Sequence, residues 1–148
     1  MFGLFKRKKF SIACPMCGRS YTLSFDPTQI TEFDYEYWPN SGLVGRQACD
    51  FCKTEMSIAL SKAGEARAYD EKWESARKEF DEKLEAIFDQ IDEVEIQLSS
   101  DEKNQGLIKK LASLEGKKSK LEDSFENKES KYYDRQAKWE EKWREKLE

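Results

Sequence analysis

The 148-residue chain contains no histidine. That absence removes the commonest general acid–base group, every imidazole metal ligand and every nucleophile activated by a histidine partner. An enzyme would have to be built from carboxylates, lysines and tyrosines. No constellation of those stands out, so the expectation is a protein that is not an enzyme. Glycine and proline are scarce, at 7 and 3, while 38% of the residues are charged, which suits long solvated helices better than one large core. No apolar run reaches the roughly 18 residues that a membrane-spanning helix needs. An excess of positive charge is missing too: the formal net charge is −4, which argues against general binding to polyanions. The first apolar residues are interrupted by "KRKK" from Lys6, with no cleavage site after it, so no secretory signal is expected and the location expected is cytoplasmic.

What is present begins with four cysteines in two pairs, Cys14 and Cys17 in "CPMCG", then Cys49 and Cys52 in "CDFC". Two residues between cysteines let one tight turn aim both thiolates at a single ion, and a second such turn completes a tetrahedral shell. Gly18 suits the positive-φ position that closes such a turn, and Pro15 stiffens its start; Lys53 stands where the second turn would have its glycine. A redox pair would need a βαβ context, and a disulfide framework would need an oxidising compartment. The expected ligand is therefore one structural Zn²⁺ held by Cys14, Cys17, Cys49 and Cys52, with four-thiolate iron as the alternative.

Segments of strand character flank the turns: "FSIAC", "SYTLSF", "LVGRQAC" and "TEMSIAL". Through "CPMCG", "CDFC" and these strands, residues of roughly 10–60 resemble the zinc-ribbon superfamily. The resemblance implies a small antiparallel fold whose metal replaces a core too small to fold alone, and it implies no particular function. The 31 residues between Cys17 and Cys49 exceed the usual 15 to 20 or so, so an insertion is expected at residues 26–42. It alternates Phe33, Tyr35, Tyr37 and Trp38 with Glu32, Asp34 and Glu36. The aromatic face either packs on the rest of the fold or binds a partner. Its acidic neighbours favour protein over phosphate. Residues 1–9 read as a basic and apolar tail, with a strand, a weak membrane contact by residues 2–9, or a phosphate contact as the roles open to it.

From residue 62 to the end no proline occurs, and the pattern predicts a helix over about 62–98, a turn over 99–106 and a helix over about 105–147. Tyr69, Trp73, Ala76, Phe80, Leu84, Ile87, Ile91, Val94 and Leu98 form one apolar seam; Leu107, Leu111, Leu114, Leu121, Phe125, Tyr132 and Trp139 form another. Folding back near residues 102 and 103 pairs Leu98 with Leu107, Val94 with Leu111, Ile91 with Leu114, Leu84 with Leu121, Phe80 with Phe125 and Trp73 with Tyr132. The expected architecture is thus α+β: a four-cysteine zinc ribbon of short antiparallel strands, then an antiparallel two-helix coiled-coil hairpin. The acidic run of the first helix is expected to face Lys109, Lys110, Lys117, Lys118 and Lys120 as ionic partner. Trp139 and Trp143 would either fasten the helices to the zinc module or form an exposed patch.

The leading functional expectation is an adaptor that binds protein partners or self-associates through the helical arm. A zinc module joined to a helical hairpin with an acidic tip, Asp101 and Glu102, also looks like the architecture of polymerase-channel factors of the DksA type, although there the zinc module follows the hairpin. That resemblance implies a transcription-associated regulator with Asp101 and Glu102 at the contact. Nucleic-acid binding through Lys6 to Lys9, Arg19, Arg46 and Lys53 is a third expectation.

Overall fold

Alternating side chains and two tight turns dictate two hairpins. In the computed structural model, which describes residues 7–148, strands β1 (Lys8–Ala13) and β2 (Ser20–Phe25) pair antiparallel, with Ile12 opposite Tyr21 and Ala13 opposite Ser20. Strands β3 (Ser41–Ala48) and β4 (Glu55–Ser61) form the second hairpin, with Ala48 opposite Glu55. Each hairpin therefore closes on one cysteine pair. A register shift between Leu43 and Gly45 marks a bulge in β3.

A fifth strand, β5 (Ala66–Asp70), pairs antiparallel with β4, giving a three-stranded sheet of order β3-β4-β5. The helix expected from about residue 62 begins instead at Glu71. Gly64, at φ 86°, turns the chain back at Ser61, whose carbonyl accepts the Gly64 amide at 3.0 Å and whose amide donates to the Glu65 carbonyl at 2.8 Å. Five consecutive residues of β4, Met56 to Leu60, are buried, so pairing on both edges comes with cover on both faces. That cooperative burial outweighs the helical propensity of the "ARAY" stretch. Asp70, at the end of β5, accepts the Trp73 amide at 3.3 Å and caps the helix that follows, with Glu71 and Glu74 in its first turn.

The helices are α1 (Glu71–Ser100) and α2 (Gln105–Leu147). The chain as a whole is α+β, two small antiparallel sheets followed by two helices. It divides into two units, one comprising the residues up to Glu74 together with Tyr133–Glu148, the other Ser75–Tyr132. In the second unit Ile91, Val94 and Leu114 are buried with Ile87, Leu98, Leu107 and Leu111 packed around them. Phe80 and Phe125 stack with ring centroids 4.1 Å apart, as the fold-back register requires. The turn between the helices is held by Asn104, whose side chain accepts the Leu107 amide at 3.2 Å and donates to Asp101 at 3.1 Å.

The expected cross-pairing of charges differs from what is seen. Lys83 pairs with Glu79 at 2.9 Å and Lys118 with Glu122 at 3.7 Å, each within its own helix, and Lys118 also lies over the Phe88 ring at 4.8 Å. Among the described residues Lys109, Lys110, Lys117 and Lys120 stay in solvent with no such pair. Exposed lysine and glutamate gain little from pairing and lose side-chain entropy by it.

Candidate metal centre

The two cysteine turns have the same backbone. The Cys14 amide donates to the Arg19 carbonyl at 2.8 Å and the Gly18 amide to the Cys14 carbonyl at 3.0 Å; the Cys49 amide donates to Thr54 at 2.8 Å and the Lys53 amide to Cys49 at 2.9 Å. Gly18 takes φ 80° and Lys53 takes φ 64°, so lysine adopts the left-handed conformation that its position demands. Its ammonium donates to the Asp50 carbonyl at 2.9 Å within the same turn.

These turns bring Cys14, Cys17, Cys49 and Cys52 together with all four sulfurs within 4.8 Å of one another. Two pairs bridge the turns, Cys14 with Cys52 at 3.5 Å and Cys17 with Cys49 at 3.6 Å. A tetrahedron with metal–sulfur bonds of about 2.3 Å has sulfur–sulfur edges of about 3.8 Å, so the cluster fits one such ion with small adjustments. Cys14, Cys17 and Cys49 are buried and Cys52 is half-buried, a closed site with no side chain left to leave an open position.

Local electrostatics divide the sulfurs. Burial pushes the Cys14 thiol up to about 11, against the pull of the Cys17 and Met16 amides, and burial likewise raises Cys17. Burial acts on Cys49 too, but the Tyr21 hydroxyl and the amides of Cys52 and Phe51 outweigh it and bring that thiol down to about 6. Tyr21 donates to Cys49 Sγ at 3.2 Å and accepts the Asp50 amide at 3.0 Å. Thr54 Oγ1 lies 3.2 Å from Cys52 Sγ, where it would donate to a thiolate.

The end of α2 belongs to the same unit and packs on these turns. Phe51, inside "CDFC", meets Trp139 and Trp143 with centroids 5.5 and 5.4 Å away. The Gln136 amide donates to the Pro15 carbonyl at 2.8 Å, and Arg19 sits over Trp143 at 5.4 Å. The tryptophans therefore fasten α2 to the cysteine turns. Tyr21, Thr54 and Phe51 were not singled out from the sequence; the signal available was their place within or next to a cysteine turn.

Phe33, Tyr35, Tyr37 and Trp38 are half-buried while Glu32, Asp34 and Glu36 are exposed, as alternation implies. Tyr35 meets Tyr37 and Tyr69 edge to face at 5.4 and 5.6 Å, Trp38 lies under Arg67 at 4.1 Å, and Phe33 lies under Lys62 at 5.3 Å. The insertion thus packs on β5 and the turn before it. A Cβ at Gly42 would sit 2.5 Å from the Glu32 carbonyl oxygen, so the glycine lets the insertion cross β3. Asp101 and Glu102 are exposed in the turn between the helices, and Asp101 takes part in the hydrogen bonding that shapes it.

Of the basic residues, Arg46 pairs with Glu71 at 3.1 Å, and Arg19 lies 3.9 Å from Asp50 and over the Tyr21 ring. Lys8 and Lys9 are exposed in β1, so the strand begins inside the segment read as a tail. Arg7 donates to the Ser24 carbonyl at 2.8 Å. The membrane contact read from residues 2–9, and Lys6 of the basic group, fall largely outside the described residues. No helix among the described residues is long and apolar enough to cross a membrane.

Comparison with protein-family models, with curated proteins and with solved structures yields no match in any of the three. The functional reading therefore rests on the site itself.

Proposed function

We propose that Cys14, Cys17, Cys49 and Cys52 hold one structural Zn²⁺ and that the protein is a non-enzymatic, cytoplasmic adaptor, a zinc-ribbon head joined to a coiled-coil hairpin. The observation that carries the reading is the convergence of four largely buried sulfurs from two identically built turns. A thiolate set without carboxylate or imidazole suits zinc, with iron as the competing ion. When bound, the ion supplies a cross-link between two hairpins that share no strand ladder. The chain's own contribution is the geometry: paired turns that aim the sulfurs inward, amides and hydroxyls that offset thiolate charge, and aromatic rings that join α2 to the second turn.

The adaptor role follows from what the parts offer. A closed metal site has no position for substrate, while the helical pair presents Ile96 and Ile108 and a charged surface to solvent. Partner binding by the insertion would use the outer faces of Phe33, Tyr35, Tyr37 and Trp38, and self-association would use the helices. A transcription-associated role is the second reading, favoured by the exposure of Asp101 and Glu102 in the turn; engagement of Arg19 and Arg46 within the fold weighs against nucleic acid.

Elemental analysis of the reduced, folded protein, together with its mass in solution and capture of partners from native lysate, tests the reading. One zinc per chain is expected. A folded protein without zinc or iron contradicts the metal centre, and loss of a transcriptional effect on replacing Asp101 and Glu102 with alanine would favour the second reading.

A further inference from the structure

Tyr21 belongs to β2, in the first hairpin, yet both bonds of its hydroxyl go to the second cysteine turn, one to Cys49 Sγ at 3.2 Å and one from the Asp50 amide at 3.0 Å. Arg19 lies over its ring at 4.9 Å, a contact to the ring and not to the hydroxyl. Hydrogen bonds to a metal-bound thiolate withdraw charge from sulfur and fix its direction, and losing such an outer partner lowers metal affinity about 10- to 100-fold. The second turn needs this support more than the first. Lys53 holds its closing position where the first turn has Gly18, so the backbone there is under strain that a bond from outside can offset.

We propose that Tyr21 is a positioning residue of the metal centre, whose hydroxyl reaches across from the first hairpin to hold Cys49 and the Asp50 amide in the geometry that receives the ion. The inference rests on the metal reading above. A tyrosine that merely packed would act through its ring; this one acts through a single oxygen.

Cobalt(II), which reports thiolate coordination by its charge-transfer absorption, separates the two roles. The reduced full-length protein, Tyr21→Phe and Arg19→Ala are titrated with Co²⁺ against a chromophoric chelator. Tyr21→Phe is expected to bind about ten-fold or more weakly, with the sulfur-to-cobalt band at lower energy, because a thiolate without its hydrogen bond gives up electrons more readily. Arg19→Ala keeps the hydroxyl and should leave the band in place. A ring-fluorinated tyrosine at position 21 keeps shape and hydroxyl while strengthening the donor, and should move the band to higher energy, which decides the matter even if Tyr21→Phe does not fold. Wild-type affinity and an unmoved band in Tyr21→Phe, or no response to fluorination, overturns the proposal and leaves the metal reading standing. A wild-type protein that takes up no cobalt overturns both.

Discussion

In the first cysteine turn Gly18 supplies φ 80° at no steric cost, and its contacts from outside include the Gln136 bond to the Pro15 carbonyl, Arg19 over Trp143 and Arg19 3.9 Å from Asp50. In the second, Lys53 is held at φ 64°, Tyr21 and Thr54 lie on the sulfurs, and Phe51 is set against two tryptophans. The backbones match and the surroundings do not. A turn that is unstrained in itself needs few neighbours, whereas a strained one persists where neighbours over-determine it.

The most severe break is loss of a cysteine from the proposed zinc site. Cys17→Ser and Cys49→Ser, one from each turn, should both abolish tight metal binding and unfold the head, since structural zinc contributes on the order of 10 kcal/mol against a net stability of about 5–15 kcal/mol. Metal content and circular dichroism check this. If one variant stays folded with a full metal complement, the turns are not halves of one site.

Next in size is the support from α2. Phe51→Ala removes a half-buried ring from between Trp139 and Trp143, and about 2 kcal/mol is expected, less than the 3–5 kcal/mol of a fully buried phenylalanine. Gln136→Ala, which releases the first turn, should cost about 1 kcal/mol. Denaturant unfolding of the metal-loaded protein measures both, and a reversed order would mean that α2 grips the first turn harder.

The backbone difference is tested by exchange. Gly18→Ala should destabilise by roughly 1 kcal/mol, because the left-handed φ penalises a side chain even though space around Gly18 is open. Lys53→Gly should stabilise by less than about 1 kcal/mol, since relief of strain is partly offset by the freer unfolded chain. Equal effects of the same sign would remove the distinction between the turns.

The smallest effect concerns acid and the second hairpin alone. The Ser57 hydroxyl, set against burial, and then the Arg46 guanidinium hold the Glu71 carboxyl below its ordinary 4.5. A carboxyl lowered by folding contributes stability above its unfolded value and loses it as pH falls through the folded value. The stability gap between wild type and Glu71→Gln should therefore narrow below about pH 4.5. A gap that stays constant into acid would show that the ionised form of Glu71 is not what braces β3, β4 and α1.

Some of this was legible before any coordinates. Cysteine spacing picked out the four sulfurs because ligands in one turn are fixed by local geometry, and the seam from Phe80 to Leu98 picked out the helical pair because periodicity is local too. Strand β5 replaces the start of the expected helix. Ala66 to Tyr69 satisfies helical spacing as well as strand alternation, and only pairing with β4 decides between them. The ring contacts of the aromatic insertion were foreseeable as packing, but their partners Tyr69, Arg67 and Lys62 come from a strand and a turn whose spacing also fits a helix.

By itself, then, the sequence determined the chemistry available: four thiolates in two turns, no imidazole, and two long amphipathic segments. These follow from residue identity and short-range spacing. Tertiary structure alone decided which hydroxyl reaches Cys49, which ring the tryptophans meet, and where the sheet gives way to helix, because each of those depends on contacts between residues far apart in the chain. Tyr21 and Cys49 are 28 positions apart, and Pro15 and Gln136 are 121 apart. Such pairs carry no periodic signature and exist only once the hairpins and α2 have come together.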